Sequence, residues 1–340
     1  MNALKINMPG PFTTVQDRGR LGFQSLGVPP CGTADKWAGD IANLLVGNAP
    51  EAAVLEFTFM GGHLEALDTF CIAVTGGDMG LTINGVVCDA WTTHQIQPGD
   101  MIRLGAVESG CRTYLALTGG IDVPNVMGSR ATYTGAGFGG LDGRILAAGD
   151  ILNRGQGSLP ERPRAIPREW IPGYPSQIIL RAIPGPQDAF FETATFFNQT
   201  FTVTDKANRM GYRLSGEPVE RRPDKPKSII SEPSLPGGVQ VPEEGQPIIL
   251  LAEQTVGGYA KIATVISTDL ARLAQAVPGN QIRFQAVTLD QAHDIYRQQA
   301  TRFRDLQEAD LEVKTPAAMG DDFFNHPVFR QRVEKYMIQI

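Results

Sequence analysis

The sequence predicts a mainly β protein with minor α content, arranged as two β-rich halves and a helical tail. Three observations predict it. The 38 glycines and 24 prolines are spread along all 340 residues, as in chains that turn often between short strands. Apolar runs such as FCIAVT from Phe70 and TYLALT from Thr113 end in the glycine pairs Gly76-Gly77 and Gly119-Gly120. Between residues 155 and 177, Pro160, Pro163, Pro167, Pro172 and Pro175 stand among charged residues. Proline lacks the amide that pairs strands, so this stretch reads as a connection.

The divisions that follow are an N-terminal β-rich domain over 1–155, a proline-rich linker over 156–177, a second β domain over 178–288 and a helical extension over 289–340. Within the first, Trp37, Ile41, Leu44 and Leu45 recur near helical spacing and the run ends at Gly47, predicting one helix. The turn signals at 97–100 and 147–150 each precede a short apolar run. The second half opens with IILRAIPGP from Ile178 and echoes the first. Met8 and Ile183 each begin an x-Pro-Gly-Pro, and Arg20 and Arg209 each begin an Arg-x-Gly-aromatic cluster. Tandem related domains and a coincidence of common turn residues both account for the echo. Residues 289–312 and 326–340 are helical in pattern and polar on one side.

Composition narrows the function classes. Hydrophobic residues at 42% and charged residues at 19% describe a soluble globular protein. A net charge of −6 and a pI near 5.3 offer no basic face to a phosphate backbone, which argues against a nucleic-acid partner. The N-terminus has no secretory pattern, and no window reaches ~18 apolar residues, so a cytoplasmic protein without a membrane span is expected. Cys31, Cys71, Cys88 and Cys111 form no CxxC pair and read as reduced, buried thiols. His63, His94, His293 and His326 show no ligand spacing, and no metal is expected.

A GxGxxG occurs at Gly135, Gly137 and Gly140, but no apolar strand precedes it and no helix follows, which removes a dinucleotide site. With no phosphate-binding GxxxxGK[ST] either, ATP, if used, binds by other means or on another chain. No GxSxG elbow is present, so arginines and carboxylates remain as chemical equipment. Asp17 and Arg20, around Gly19, either pin a turn or hold an anion through the arginine fork. Strand alternation over 209–214 places Arg209, Gly211 and Arg213 on one face, a seat for a carboxylate or phosphate, or else a solvated edge. The third group is the densest. The short strand from Ile248 delivers Glu253, Gln254 and Thr255, Gly257 and Gly258 permit a bend, and Tyr259 and Lys261 share the next strand's face. A carboxylate, a hydroxyl, a phenol and an ammonium suit chemistry on an amide, which needs an acceptor for the N–H and donors for the oxygen.

The segments PGPFTTVQDRGRLGF, GVPPCGTAD, ANLLVGN, YLALTGGIDVP, GSRAT, NRMGYRLSG and PGGVQVPEEGQPIILLAEQTVGGYAKIATVISTDLARLAQAVPG run in order from residue 9 to about 285. On these the chain resembles the family of the C component of the bacterial ATP-hydrolysing 5-oxoprolinase, also described as the KipI antagonist family. That family is similar to part of the urea carboxylase carboxyltransferase domain, hence its label of biotin-dependent carboxyltransferase. The resemblance implies two tandem cyclophilin-like β-barrels, with the second over 178–288. It implies two partners, the KipI-like B component and the A component of 5-oxoprolinase. It also implies ATP-driven opening of 5-oxo-L-proline to L-glutamate, with ATP bound alongside the partner. Applied to this reaction, Glu253, Thr255, Tyr259 and Lys261 are the candidate catalytic residues. Arg209, Arg213, Gly257, Gly258, Asp17 and Arg20 are the candidate substrate and anion residues. Two alternatives stand beside it. One is the carboxyltransferase subunit of a biotin-dependent urea or amide carboxylase, similar to allophanate hydrolase subunit 2, with biotin arriving on another protein. The other is a non-catalytic regulator of a KipI-like inhibitor. The family's usual Asp and second Thr are replaced here by Glu253 and Val256, and the added methylene moves the carboxylate by about one bond length.

Overall fold

The computed structural model describes residues 1–312 and is mainly β with four α-helices and a few 3-10 turns among them. Residues 1–154 form two facing sheets. One has seven strands and is built around Asn2–Met8, His63–Ala66 and Met101–Arg103. The other has five, with Ser109–Leu117 between Val54–Thr58 and Phe70–Asp78. Residues 177–286 form a closed seven-stranded barrel whose first and last strands, Gln177–Pro184 and Gln281–Ala286, pair in parallel. The closed barrel thus occupies the second half, while the first half is a pair of sheets; a barrel in each half was the expectation.

The burial pattern of the five-stranded sheet follows from period-2 alternation with both faces covered. Along Phe70–Asp78, Phe70, Ile72 and Val74 enter the core between the sheets. Cys71 and Ala73 point the other way, into a second cluster beneath helix α1. Helix α1 spans Lys36–Leu45, within the stretch its spacing predicts. Its N-cap Asp35 accepts a hydrogen bond from the Ala38 amide at 3.0 Å. Ala38, Ile41, Ala42 and Leu45 form its fully buried face. Burial of an Ile or Leu side chain contributes about 1.5–3 kcal/mol, so this face holds the helix more firmly than its propensity would. Val54 lies on the helix side of its strand, and two residues on, by the same alternation, Glu56 shares that side, fully buried.

The barrel core is aromatic at one end. Phe196, from the short helix α2 (Thr193–Asn198), stacks on Phe284 at 4.3 Å. Helix α3 (Leu270–Ala274) lies against α1 across the seam between the halves. The proline-rich segment 156–177 runs along the first half. The Thr93 amide donates to the Arg164 carbonyl at 2.8 Å, and Ile166 is buried in the cluster beneath α1. Helix α4 (Leu289–Glu308) starts on a capping box, in which Thr288 and Gln291 satisfy each other's amides. The expected second helical stretch, 326–340, lies outside the described residues. No helix among the described residues is long and apolar enough to cross a membrane.

Candidate functional site

Two polar clusters emerge from the segments that the sequence singles out. The first is a buried charge clamp between the halves. Arg209 meets a protein acceptor with each of its three nitrogens. Nε donates to Glu253 Oε1 at 2.5 Å, Nη2 to the Gly32 carbonyl at 2.7 Å, and Nη1 to Glu56 Oε1. The second Glu56 oxygen accepts the Ala34 amide at 2.9 Å. Arg112 approaches the same carboxylate to 3.7 Å through Nε and donates from Nη1 to Tyr212 Oη at 2.7 Å. Burial alone would raise the Glu56 carboxyl, but the Arg209 and Arg112 guanidiniums hold it below the usual carboxylate range. Beside them, burial pushes the Cys31 thiol up to about 12, with the Glu253 charge adding to the rise. Cys31 is therefore a neutral thiol and a poor nucleophile.

Strand alternation fails at Arg209. The strand begins only at Gly211, because Asn208 Oδ1 accepts the Met210 amide at 2.8 Å and closes a tight turn. That turn sends Arg209 inward, while Arg213 stays exposed on the barrel wall. The structure does not bring the two arginines to one face. Asp17 is likewise engaged, and Arg20 in part, its buried Nη1 having no partner among the described residues. Asp17 accepts from the Gly19 amide at 2.8 Å and the Ser129 hydroxyl at 2.6 Å. Arg20 donates to the Ala131 carbonyl at 2.5 Å and lies over the Phe138 ring at 4.8 Å. These contacts pin the 17–20 turn onto residues 129–138.

Asp35 belongs to the same seam and carries a pH consequence. It is fully buried and accepts from Gln275 Nε2 at 2.9 Å as well as from α1. Burial, and to a lesser degree the Glu56 charge, push its carboxyl up to about 6. The folded protein then binds this proton more tightly than the unfolded chain does. The resulting stability is complete below pH 3.8 and is lost as pH rises through about 6. Asp35→Asn is expected to remove this contribution, about 3 kcal/mol, so that urea unfolding of the variant varies less across that window. An unchanged slope of stability against pH would show that another group titrates.

The second cluster lies at one end of the barrel. Lys261 opens the strand Lys261–Val265, only 6% exposed, and its Nζ donates to Glu232 Oε1 at 2.5 Å. Gln187 joins them. Its Nε2 donates to Glu232 at 3.2 Å and its Oε1 accepts the Lys261 amide at 2.9 Å. The hydrogen bond from Lys261 holds the Glu232 carboxyl below its usual range. Opposite Lys261 on the paired strand stands Gln240, which is buried with no partner for its Nε2 among the described residues. The Ser234 hydroxyl is in the same state. Gly257 makes room for that amide. A Cβ there would fall 2.2 Å from Gln240 Nε2, so a larger residue would displace the Gln240 amide from its present position.

Of the expected catalytic set, Lys261 therefore stands beside an unsatisfied polar group, with Gly257 close by. Glu253 has a different partner, Arg209, so the two charged groups are not a pair. Thr255 is half-buried and contributes its carbonyl to the Ser234 amide at 2.8 Å. Tyr259 is 44% exposed and makes no side-chain hydrogen bond among the described residues. The Gly258 carbonyl accepts the Ile229 amide at 2.9 Å, which closes the loop over the cluster. Among the described residues, no three His, Cys, Asp or Glu side chains come together as a metal site.

The family model of the carboxyltransferase domain, subdomain A and B, matches residues 26–286. The chain belongs to this carboxyltransferase family. It is 38% identical to the C component of Escherichia coli 5-oxoprolinase over 311 residues, which cover 89% of this chain and 97% of that one. It is 30% identical to the urea amidolyase of Lachancea kluyveri over 337 residues, 92% of this chain but only 18% of that protein. The crystal structure of Kluyveromyces lactis urea carboxylase superposes with a TM-score of 0.85 at 30% identity, covering 92% of this chain and 30% of that one. Both polar clusters fall inside the matched carboxyltransferase residues, whereas Asp17 and Arg20 precede them.

The carboxyltransferase fold also brings in residues that sequence reasoning missed: Glu56, Arg112, Gln187, Glu232, Ser234 and Gln240. A signal existed for two of them. Glu56 interrupts the apolar run VLEF and Arg112 precedes TYLAL, and an ionisable residue inside a buried strand needs a charged partner. Gln187, Glu232, Ser234 and Gln240 carry no such mark, because their meeting depends on barrel register.

Proposed function

We propose that this chain is the C component of an ATP-dependent 5-oxoprolinase complex. It acts with a KipI-like B component and with the A component to open 5-oxo-L-proline to L-glutamate. The observation that carries the proposal is the end-to-end match to a 5-oxoprolinase component, of which the chain covers 97%. The barrel-end geometry supports an amide as the group addressed. Lys261 supplies a cation for the lactam oxygen, and the free Gln240 amide and Ser234 hydroxyl supply further hydrogen bonds. Such donors are worth most where charge develops on the oxygen during ring opening. Thr255 and Tyr259, on the rim, and Gly257 and Gly258, which keep the backbone close, complete the substrate end in this reading. Glu253 and Arg209 act at a distance, by fixing the loop that follows Glu253, and Arg213 and Asp17 with Arg20 have no assigned contact with substrate.

The residues at this end do not fit a triphosphate. A triphosphate needs several cations, whereas Lys261 is the single ammonium of this cluster and the guanidinium of Arg209 is satisfied by protein acceptors. ATP binding is assigned to the A and B components. On the same reading the paired sheets over 1–155 and the barrel over 178–288 are tandem cyclophilin-like units, with 156–177 between them and the extension 289–340 after them. A cytoplasmic location accompanies it.

A second reading has its own support. The TM-score of 0.85 to urea carboxylase favours a carboxyltransferase component that works with biotin carried by another protein. Reconstitution separates the two. The chain, combined with the A and B components, is expected to release glutamate and hydrolyse ATP only when 5-oxo-L-proline is present. Turnover with urea and a biotinylated carrier, and none with 5-oxo-L-proline, would move the assignment to the second reading. Stable binding of the B component with neither activity would leave the regulator of a KipI-like inhibitor.

A further inference from the structure

A cleft of about 390 Å³ lies between the turn at Arg168–Trp170, the barrel strand Gln177–Pro184, α3 and α4. It shares no lining residue with the Lys261 cluster or with the Arg209 clamp. Its walls are Trp37 and Trp170. Trp37 is fixed edge-on against Phe303 at 6.1 Å, and the Arg302 guanidinium lies over the Trp170 ring at 5.1 Å.

At this cleft the Thr268 hydroxyl is buried with no hydrogen-bond partner among the described residues, while the buried Tyr174 hydroxyl faces the Asp35 carboxylate. A buried hydroxyl left unpaired costs about 1–3 kcal/mol, which a bound polar group would relieve. The cations divide by their engagement. Arg181 is held by Asp269, with Nε donating to Oδ2 at 2.9 Å. Arg272 and Arg302 form no salt bridge among the described residues. Of the carboxylates, Asp269 is matched by Arg181, and Asp35 is turned to the α1 amide, Gln275 and the Tyr174 hydroxyl. Glu169 alone opposes two unpaired guanidiniums. Planar forks of this kind select carboxylate and phosphate groups, and the indoles cover an apolar or planar body.

We propose that this cleft binds a small organic anion, its carboxylate or phosphate held by Arg272 and Arg302 and a further polar atom held by the Thr268 hydroxyl. Residue 302 lies beyond the 26–286 matched by the family model, so α4 adds a wall that the matched segment does not contain. The inference is independent of the 5-oxoprolinase reading, because binding is measured without turnover.

The test is an intrinsic-fluorescence titration of the full chain, since Trp37 and Trp170 are two of its three tryptophans. Inorganic phosphate, L-glutamate and ADP are titrated separately into the millimolar range. A saturable change with at least one is expected, weakened about tenfold by Arg272→Gln and by Arg302→Gln. The isosteric Thr268→Val is expected to weaken it as well, while Lys261→Met leaves it unchanged. A response to ADP or phosphate identifies a phosphoryl ligand, and a response to glutamate alone a carboxylate. No saturable response to any of the three would overturn the proposal. So would binding that both arginine variants retain while their circular dichroism matches that of the parent.

Discussion

Arg209→Ala is expected to destabilise the protein by about 3–5 kcal/mol, because it leaves Glu253 buried with no countercharge and Glu56 with Arg112 alone, at 3.7 Å. Glu56 has no exposed surface, and its carboxylate cannot turn to water. The fall should be read as a lower urea midpoint at neutral pH. It should shrink at acid pH, where protonation of the orphaned carboxylates relieves the penalty. The double variant Arg209→Met with Glu253→Gln should recover much of the loss, since it leaves no unpaired charge and keeps Glu56 beside Arg112. A loss below about 1 kcal/mol for Arg209→Ala would mean that the clamp contributes no more than an exposed pair.

Lys261→Met is expected to lower 5-oxo-L-proline turnover of the reconstituted complex by about 10²–10³ with little change in stability. The contrast with Arg209 rests on the partner. The Glu232 side chain is 40% exposed, so once Lys261 is gone it can be hydrated. Met keeps the aliphatic stem that fills the barrel end and removes only the charge. The effect should fall on kcat more than on KM, as for a group whose interaction strengthens in the transition state. Activity near the parent value, with the complex intact, would remove Lys261 from the site.

Much of the fold was legible because it rests on local rules. Helix α1 shows in the spacing of Ile41, Leu44 and Leu45 and in the closing Gly47, and the strand at Phe70 shows in its apolar run. Helix α4 shows in its polar face. The site was legible only in part. Lys261 and Gly257 stand out in sequence as polar and glycine positions between strands, yet their working neighbours Glu232, Gln187 and Gln240 arrive through barrel register. Arg209 was placed on a strand face because alternation was extended two residues too far, past the Asn208 turn. Its contact with Glu56 spans 153 residues of chain, which no local pattern encodes. The pairing of barrels was also beyond such patterns, since closure depends on which edge strands meet.

The amide of Gln275 accepts from the Cys111 and Arg112 amides at 2.9 Å and donates to the Arg112 carbonyl and to Asp35, all from the barrel side of the seam. One side chain thus finishes the hydrogen bonding of the opposite half, just as Arg209 neutralises Glu56 there. Each half is chemically incomplete when taken alone. A cut through the proline-rich stretch, where the sequence invites one, would divide a shared account of charge. Separating the two units would leave Glu56, Asp35 and the Arg209 guanidinium without partners that the other half supplies.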